Sequence, residues 1–385
     1  MEETDRLLDC TFCRTRLFIV STGPFHYYIP TAAADDLIYM PYWRIRGLAY
    51  TIKPMETTNR YIDTNLKALP LKDLVPSLGV RPQAMKLRFL TPAAPGEFLR
   101  PALKAHQVIP QGAPAPGAQS HNVFIGDTVS LIYTPMILKN NALHDAFDQR
   151  PPVPWTDDNR KMYPVLNPAE RDHTRFIATL CPHCGQDLQG AKDTLLMTCK
   201  NCQSMWSCEG ASLQNIPFAV MEGSGTPLRY LPFWRMKLRF DGIRLASFAD
   251  LVRIANLPKP ITAVMEEKQV FFWAPAFKIN PALFLRWARQ TTIYQPEGDC
   301  LEMIPTQPIY PATLSLQEAV ESVLITLSSM VTDKRMYFAN LSSLQMNLED
   351  SLLVYQPFIE KGRELIHERM KVVLDRNALT FGAFM

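Results

Sequence analysis

Glycine is scarce in this chain, 16 of 385 residues, and no glycine-rich phosphate cradle is present. Neither GxxxxGKS/T nor GxGxxG occurs; Gly223 and Gly225 lack the third glycine that would let a backbone close on a pyrophosphate. HExxH is absent. Glu364 and His367 form a single ExxH where carboxylate-bridged di-iron sites use two, so with Glu360 and Glu368 they read as a solvated charged face. The seven histidines are scattered, and no spacing suggests a nucleophile with its base. We therefore assign no catalytic residue and expect a protein that is not an enzyme, with an enzyme of unrecognised site kept as an alternative.

Long apolar runs are missing as well. The best uncharged stretch, residues 322–332, is 11 residues long, against the 18 or so that span a bilayer. The opening MEETDRLLDC has neither the basic start nor the apolar core of a signal peptide. A dominant charge is also lacking: 40 Lys and Arg against 37 Asp and Glu leave +3 and a pI near 8.3. That falls short of the pI above about 9 that marks nucleic-acid binding by charge alone. These absences lead us to expect a cytoplasmic protein with no transmembrane segment. In a reducing compartment its eight cysteines are metal ligands and ordinary thiols rather than disulfides.

What is present suits a folded chain of two or three domains, with 47% hydrophobic and 10% aromatic residues. The 32 prolines favour β-structure with rigid turns over a helical bundle. Segments such as MKLRFL, VSLIYTPMIL, TRFIATL, RYLPFWRMKLRF, QVFFWAPAFKI and SLLVYQPFI read as strands. Helices start at Asn280-Pro281, an N-cap followed by an N1 proline, and at Ser315 with Glu318, a capping box. Residues 246–256 make a third, short amphipathic helix. The class is α+β with much antiparallel sheet.

Two motifs repeat. Tyr39-Met-Pro41-Tyr42-Trp43-Arg44-Ile45-Arg46 recurs as Tyr230-Leu-Pro232-Phe233-Trp234-Arg235-Met236-Lys237, 191 positions later (230 − 39). Weaker echoes surround Pro135, Pro275 and Pro357, each with an aromatic residue two before the proline. A strand proline has no N–H to give, so these should lie on edges or at bulges. Cys10 and Cys13 recur as Cys199 and Cys202, both 189 positions on (199 − 10; 202 − 13). Cysteine pair and aromatic-proline strand shift together, which points to a tandem duplication.

Cys181, Cys184, Cys199 and Cys202 form C-x2-C, 14 residues, C-x2-C. Each pair turns a tight knuckle, and two knuckles supply the four sulfurs of a tetrahedral site. Residues 177–208 resemble the zinc ribbon or rubredoxin-like knuckle family, with Pro182 and Gly185 shaping the CPxCG turn. The resemblance implies one structural zinc, with iron as the lesser alternative. His183 reads as an exposed turn residue, Cys208 as a buried thiol near Trp206, and Cys300 as an unactivated thiol. Cys10 and Cys13 are a candidate second, incomplete metal site, because the matching first knuckle would fall before residue 1. A truncated start, a half-ribbon completed by another chain, a metal-free vestige that has lost half its ligands, and a redox pair are the readings this raises.

The resulting plan is a half ribbon (1–22), a first β-module (23–103), a flexible linker (104–122) and a β extension (123–173). The complete ribbon follows (174–214), then a second β-module with short helices (215–304) and a C-terminal helix and β segment (305–385). The function this suggests is a non-enzymatic zinc-ribbon scaffold or assembly protein that binds a protein partner through its repeated β-modules. Trp43, Arg44, Arg46, Trp234, Arg235 and Lys237 are the candidate binding surface. Aromatics alternating with cations on a strand can also stack and neutralise single-stranded nucleic acid, which is the alternative reading.

Overall fold

The computed structural model describes residues 5–9, 15–32, 36–53, 56–108, 120–148, 150–171, 173–210, 212–332, 337 and 344–382. Cys10, Cys13 and most of the linker lie outside them. The first large sheet is made of β3 (Phe25–Tyr28), β4 (Leu37–Ile52), β5 (Thr57–Lys67), β6 (Arg88–Phe89), β7 (Glu97–Phe98), β8 (His121–Lys139), β9 (Ala142–Asp145) and β10 (Val153–Pro154). Three-stranded sheets carry the cysteine segments. One joins β1 (Leu7–Asp9) and β2 (Arg16–Ser21) to β11 (Thr174–Ala178); the other is β12 (Leu196–Cys199), β13 (Ser204–Glu209) and β14 (Ser212–Asn215). The second large sheet holds β15 (Phe218–Met221), β16 (Leu228–Asp241), β17 (Phe272–Pro275), β18 (Cys300–Leu301), β19 (Gln345–Lys361), β20 (Glu364–His367) and β21 (Val373–Asp375). Helices are α1 (Arg81–Ala84), α2 (Ala105–Val108), α3 (Asp157–Met162), α4 (Phe248–Ile254), α5 (Ala263–Glu267), α6 (Pro281–Tyr294), α7 (Leu316–Met330) and α8 (Arg376–Gly382). The mixture of helices with mainly antiparallel sheet is α+β.

Helix starts follow their caps. Asn280 accepts the Ala282 N–H ahead of α6, and Ser315 exchanges capping-box hydrogen bonds with Glu318 at the start of α7. Ser247 and Asp250 do the same for α4.

The two large sheets share one pairing scheme. β4 runs antiparallel to β8, β8 takes β3 in parallel, and the β9–β10 hairpin extends it. Likewise β16 runs antiparallel to β19, β19 takes β15 in parallel, and β20–β21 extends it. Even the registers agree. Tyr39 faces Pro135 and Pro41 faces Tyr133; Tyr230 faces Pro357 and Pro232 faces Tyr355. The β8–β9 turn places Asn140 and Asn141 at positive φ, as a type I′ hairpin turn requires, and the β19–β20 turn uses Gly362 at φ 62°.

The prolines are where the sequence reading needs correction. Pro41 lies on an interior strand, not an edge. Its neighbour on one side changes there from β7, paired at Ile38 and Tyr39, to β5, paired from Tyr42 onward. Pro232 sits between a bridge of Tyr230 to Ile309 and the start of β17 pairing at Phe233. Pro135 and Pro357 fall where β3 gives way to β9 and β15 to β20. A residue without an N–H is tolerated at a break between two flanking strands, because no ladder bond is owed there.

Pairing also redraws the sequence divisions. Strand β8, in the stretch expected to be an extension, pairs with β4 along nearly its whole length, so residues 123–139 belong to the first sheet. Strand β19 is in the same way the main partner of β16. Strand β11, expected within the ribbon, pairs with β2 instead.

Burial explains why the sheets stay together. Ile38, Met40 and Tyr42 pack on one face of β4 and Tyr39, Trp43 and Ile45 on the other. Further along the strand, Leu48, Tyr50 and Ile52 join the core of the second sheet. There the Tyr50 hydroxyl donates to the Pro281 carbonyl at 2.8 Å. Among the described residues no helix is long and apolar enough to cross a membrane.

Candidate metal centre

The chain leaves β11, passes Thr179, whose N–H donates to the Arg16 carbonyl, and turns at Cys181. Gly185 closes this knuckle: its φ of +74° suits glycine, and its N–H donates to the Cys181 carbonyl at 2.8 Å. The return segment reaches β12 through Gln189 and Thr198, which exchange two backbone hydrogen bonds of 2.8 Å. Strand β12 then delivers Cys199, and the turn to β13 supplies Cys202. Pairing of Cys199 with Ser204 fixes the base of this second knuckle.

The four thiols converge, their sulfurs all within 4.8 Å of one another. Cys181 Sγ is 3.5 Å from Cys202 Sγ, and Cys184 Sγ is 3.4 Å from Cys199 Sγ. A tetrahedral site with sulfur–metal bonds of about 2.3 Å spaces its sulfurs about 3.8 Å apart, so the group can hold a metal ion with little movement. Cys181 and Cys199 are buried, while Cys184 and Cys202 are half-buried.

Backbone amides hold the sulfurs. Burial works against the Cys181 thiolate. The N–H groups of Cys184 and His183, with the thiols of Cys202 and Cys199, outweigh it and bring its pKa down to about 6. The Gln186 N–H and the Asn201 side chain lower Cys184 too. Cys199 goes the other way, pushed up to about 12 by burial against the opposing N–H of Cys202. Four adjacent thiols cannot all ionise on their own, whereas a bound dication stabilises all four thiolates together.

Ser204 is a functional neighbour that the sequence reading missed. Its Oγ lies 2.9 Å from Cys202 Sγ and accepts from Trp206 Nε1 at 2.8 Å. With that lone pair taken, the hydroxyl hydrogen is free to point at sulfur, an outer-shell contact that tunes a ligand. The signal was local: a serine two residues after the last cysteine, on the strand that pairs with Cys199. His183 is exposed, as expected, and packs edge-on to Trp206 with centroids 4.7 Å apart. Cys208, half-buried rather than buried, and Cys300, exposed, are outside the cluster, and partial desolvation raises both thiols.

The front hairpin leans on this centre. Leu7 and Phe18 share a small core with Leu188, Met197 and Trp206 around Cys181 and Cys199. Its strands match β12 and β13: Leu7 pairs with Phe18 and Leu8 with Leu17, as Leu196 pairs with Ser207 and Met197 with Trp206, each 189 positions apart. Cys10 and Cys13, between β1 and β2, fall outside the described residues.

The candidate binding strands are placed differently from a stacking platform. Trp43 and Trp234 are 7% and 4% exposed, and each indole N–H donates to a carbonyl, of Leu103 and Leu314 respectively. Arg44, 2% exposed, is ion-paired with Asp63, and Arg46 Nε lies 3.8 Å from the same carboxylate. Arg235 covers the Phe271 ring at 4.7 Å, and Lys237 reaches Glu349 at 3.2 Å. Trp43 lies on the opposite face of β4 from Arg44 and Arg46, but Tyr42 shares the arginine face, and both faces of the strand are covered.

Comparison of the chain with protein-family models, with curated proteins and with solved structures finds no match in any of the three. The functional reading therefore rests on the molecule's own geometry.

Proposed function

We propose that the protein is a non-enzymatic scaffold or assembly protein, stiffened by one structural zinc on a ribbon and built by tandem duplication of a ribbon-plus-sheet unit. The observation that carries this is the closed four-thiol cluster. Four protein sulfurs within 4.8 Å of one another can supply all four ligands of a tetrahedral ion, which would leave no position for water or substrate, the arrangement of structural rather than catalytic zinc. The duplication draws support from the shared registers of the two large sheets and of the two hairpins.

A scaffold needs a surface for its partner, and this reading assigns it to the first β-module. Among the described strands β5 pairs with β4 alone; Lys67 and Asn65 at its end are bonded to residues 76–79, so the outer edge that can accept a strand from another chain is residues 58–64. The equivalent edge in the second sheet is closed, because the Thr292 hydroxyl of α6 accepts the Trp273 N–H of β17 at 3.0 Å. Burial of Trp43 and Trp234 counts against the nucleic-acid alternative.

Two measurements decide between the readings. Cross-linking of the protein in native extracts, mapped by mass spectrometry, should place a protein partner against residues 58–64. Binding to single-stranded DNA or heparin should be weak and nearly flat with salt. Tight binding with a steep salt slope would favour phosphate contacts and overturn the scaffold reading.

A further inference from the structure

The open edge of β5 has a definite hydrogen-bonding phase. The Lys53 N–H donates to the Glu56 carbonyl at 2.8 Å, in the register that β4 and β5 then keep without a shift. Bonded and non-bonded pairs alternate in an antiparallel ladder, so Thr58, Arg60, Ile62 and Thr64 turn their backbone groups toward β4. Asn59, Tyr61 and Asp63 turn theirs outward. The Lys67 N–H, on the same outward side, fits this phase by donating to the Pro76 carbonyl. At Asp63 the accessible surface is main chain, because the residue is exposed while its side chain is only 24% so. Residues 58–64 contain no proline or lysine and their ladder has no bulge, so common devices that blunt an edge are absent.

The free stretch is centred on Tyr61, and its sequence complements its own image. A two-fold axis through an antiparallel pair brings together residues of one face, so each meets a residue an even number of positions away. With the axis at Tyr61, Asn59 faces Asp63 of the second copy, Arg60 faces Ile62 and Thr58 faces Thr64. The outward residues then form three bonded pairs, Asn59 with Asp63, Tyr61 with its copy and Asp63 with Asn59, each exchanging two N–H···O bonds. An amide meets a carboxylate, threonine meets threonine and ring meets ring, all pairings that stabilise a sheet. Other centres do worse. An axis at Arg60 or Asp63 sets like charges face to face, and one at Asn59 or Ile62 leaves fewer bonded pairs.

We propose that the strand received at this edge comes from a second copy of the chain, β5 pairing antiparallel with β5 about Tyr61. The two first sheets then continue into one. This rests on the reading that the β5 edge accepts a strand, and it names the source of that strand. The contact is isologous, so it closes at two copies and does not propagate into a fibre. A contact of this length belongs with small, weak interfaces, and a dissociation constant on the order of 10 µM follows.

Analytical ultracentrifugation of the full chain from about 1 to 200 µM tests this, and the parent should pass from monomer to dimer across that range. Asn59 is exposed, so substitutions there leave the core alone. Asn59→Asp sets carboxylate against carboxylate twice per dimer and should weaken it about tenfold. Asn59→Lys sets an ammonium against each carboxylate and should tighten it about threefold. Residues of a bonded pair lie about 5.5 Å apart at Cα, so Tyr61→Cys should give a disulfide-linked dimer on mild oxidation and Arg60→Cys should not. Should Tyr61→Cys fail to fold by circular dichroism, the two Asn59 variants carry the test. A parent that stays monomeric to about 200 µM overturns the proposal, as do Asn59 variants that dimerise like the parent. A monomeric parent whose residues 58–64 cross-link to a different protein in native extracts overturns self-pairing and sustains the edge reading. Neither dimer nor cross-link at these residues overturns both.

Discussion

Trp43 and Trp234, 191 positions apart, make the same hydrogen bond. Trp43 Nε1 donates to the Leu103 carbonyl at 2.7 Å and Trp234 Nε1 to the Leu314 carbonyl at 3.0 Å. The frames around them match as well. The Ala68 and Ala276 N–H groups donate to the Pro41 and Pro232 carbonyls at 3.0 and 2.9 Å. The carbonyls of Ala68 and Ala276 each receive two further N–H groups, from Ala102 and Leu103 and from Thr313 and Leu314. Beyond Leu103 comes α2, and beyond Leu314 comes α7.

If these are equivalent sites, Trp43→Phe and Trp234→Phe should cost similar amounts. Each removes a buried donor and leaves its carbonyl unpaired, about 2–3 kcal/mol in urea unfolding. A difference between the two larger than that loss itself would argue that they occupy unlike environments.

Asp63 should matter more than its partial exposure suggests. It serves Arg44 and Arg46 together and also accepts from Gln83 Nε2 at 3.2 Å. Asp63→Ala removes one carboxylate partner from a guanidinium that is 3% exposed, a loss of about 3 kcal/mol. Replacing Arg44 by Met in the same chain should recover part of it. An Asp63→Ala variant as stable as the parent would show that Arg44 does not depend on this pair.

Histidine burial predicts acid sensitivity. Burial, with the neighbouring His173 adding to it, lowers His26 from 6.5 to about 4, and burial lowers His367 similarly. Below pH 6.5 the unfolded chain takes up protons that the native chain refuses, so stability falls as pH drops from 6.5 toward 4. The loss is at most about 2 kcal/mol per histidine at pH 5. His26→Phe should flatten this slope when urea midpoints at pH 5 and pH 7 are compared. An unchanged slope would assign the acid sensitivity elsewhere.

How much of this was legible in the sequence depended on range. The four clustered cysteines and the caps at Asn280 and Ser315 are local signals, and a few residues suffice to read them. The role of Pro41 was not legible, because tolerating it depends on where β7 ends and β5 begins, which is a matter of tertiary pairing. Arg44 looked solvent-facing because alternation gives a face but not what covers it; Asp63 reaches it only through the β4–β5 register.

Ser204→Ala should weaken the metal centre without dismantling it. The variant loses the hydroxyl beside Cys202 and the acceptor for the Trp206 indole. Outer-shell losses of this kind cost about tenfold in metal affinity, readable by competition with a chromophoric chelator. Parent-like affinity would reduce Ser204 to a packing residue.

The central claim is that Cys181, Cys184, Cys199 and Cys202 hold one structural zinc, and elemental analysis tests it most directly. Protein purified without chelator should carry one equivalent of zinc at these sulfurs, and Cys184→Ser should lose it and loosen the ribbon locally. Binding at such a site supplies on the order of 10 kcal/mol of folding energy, so the loss should be plain in hydrogen exchange of β12 and β13. Less than about half an equivalent of zinc and iron together, or a Cys184→Ser variant with unchanged metal content, would contradict the account.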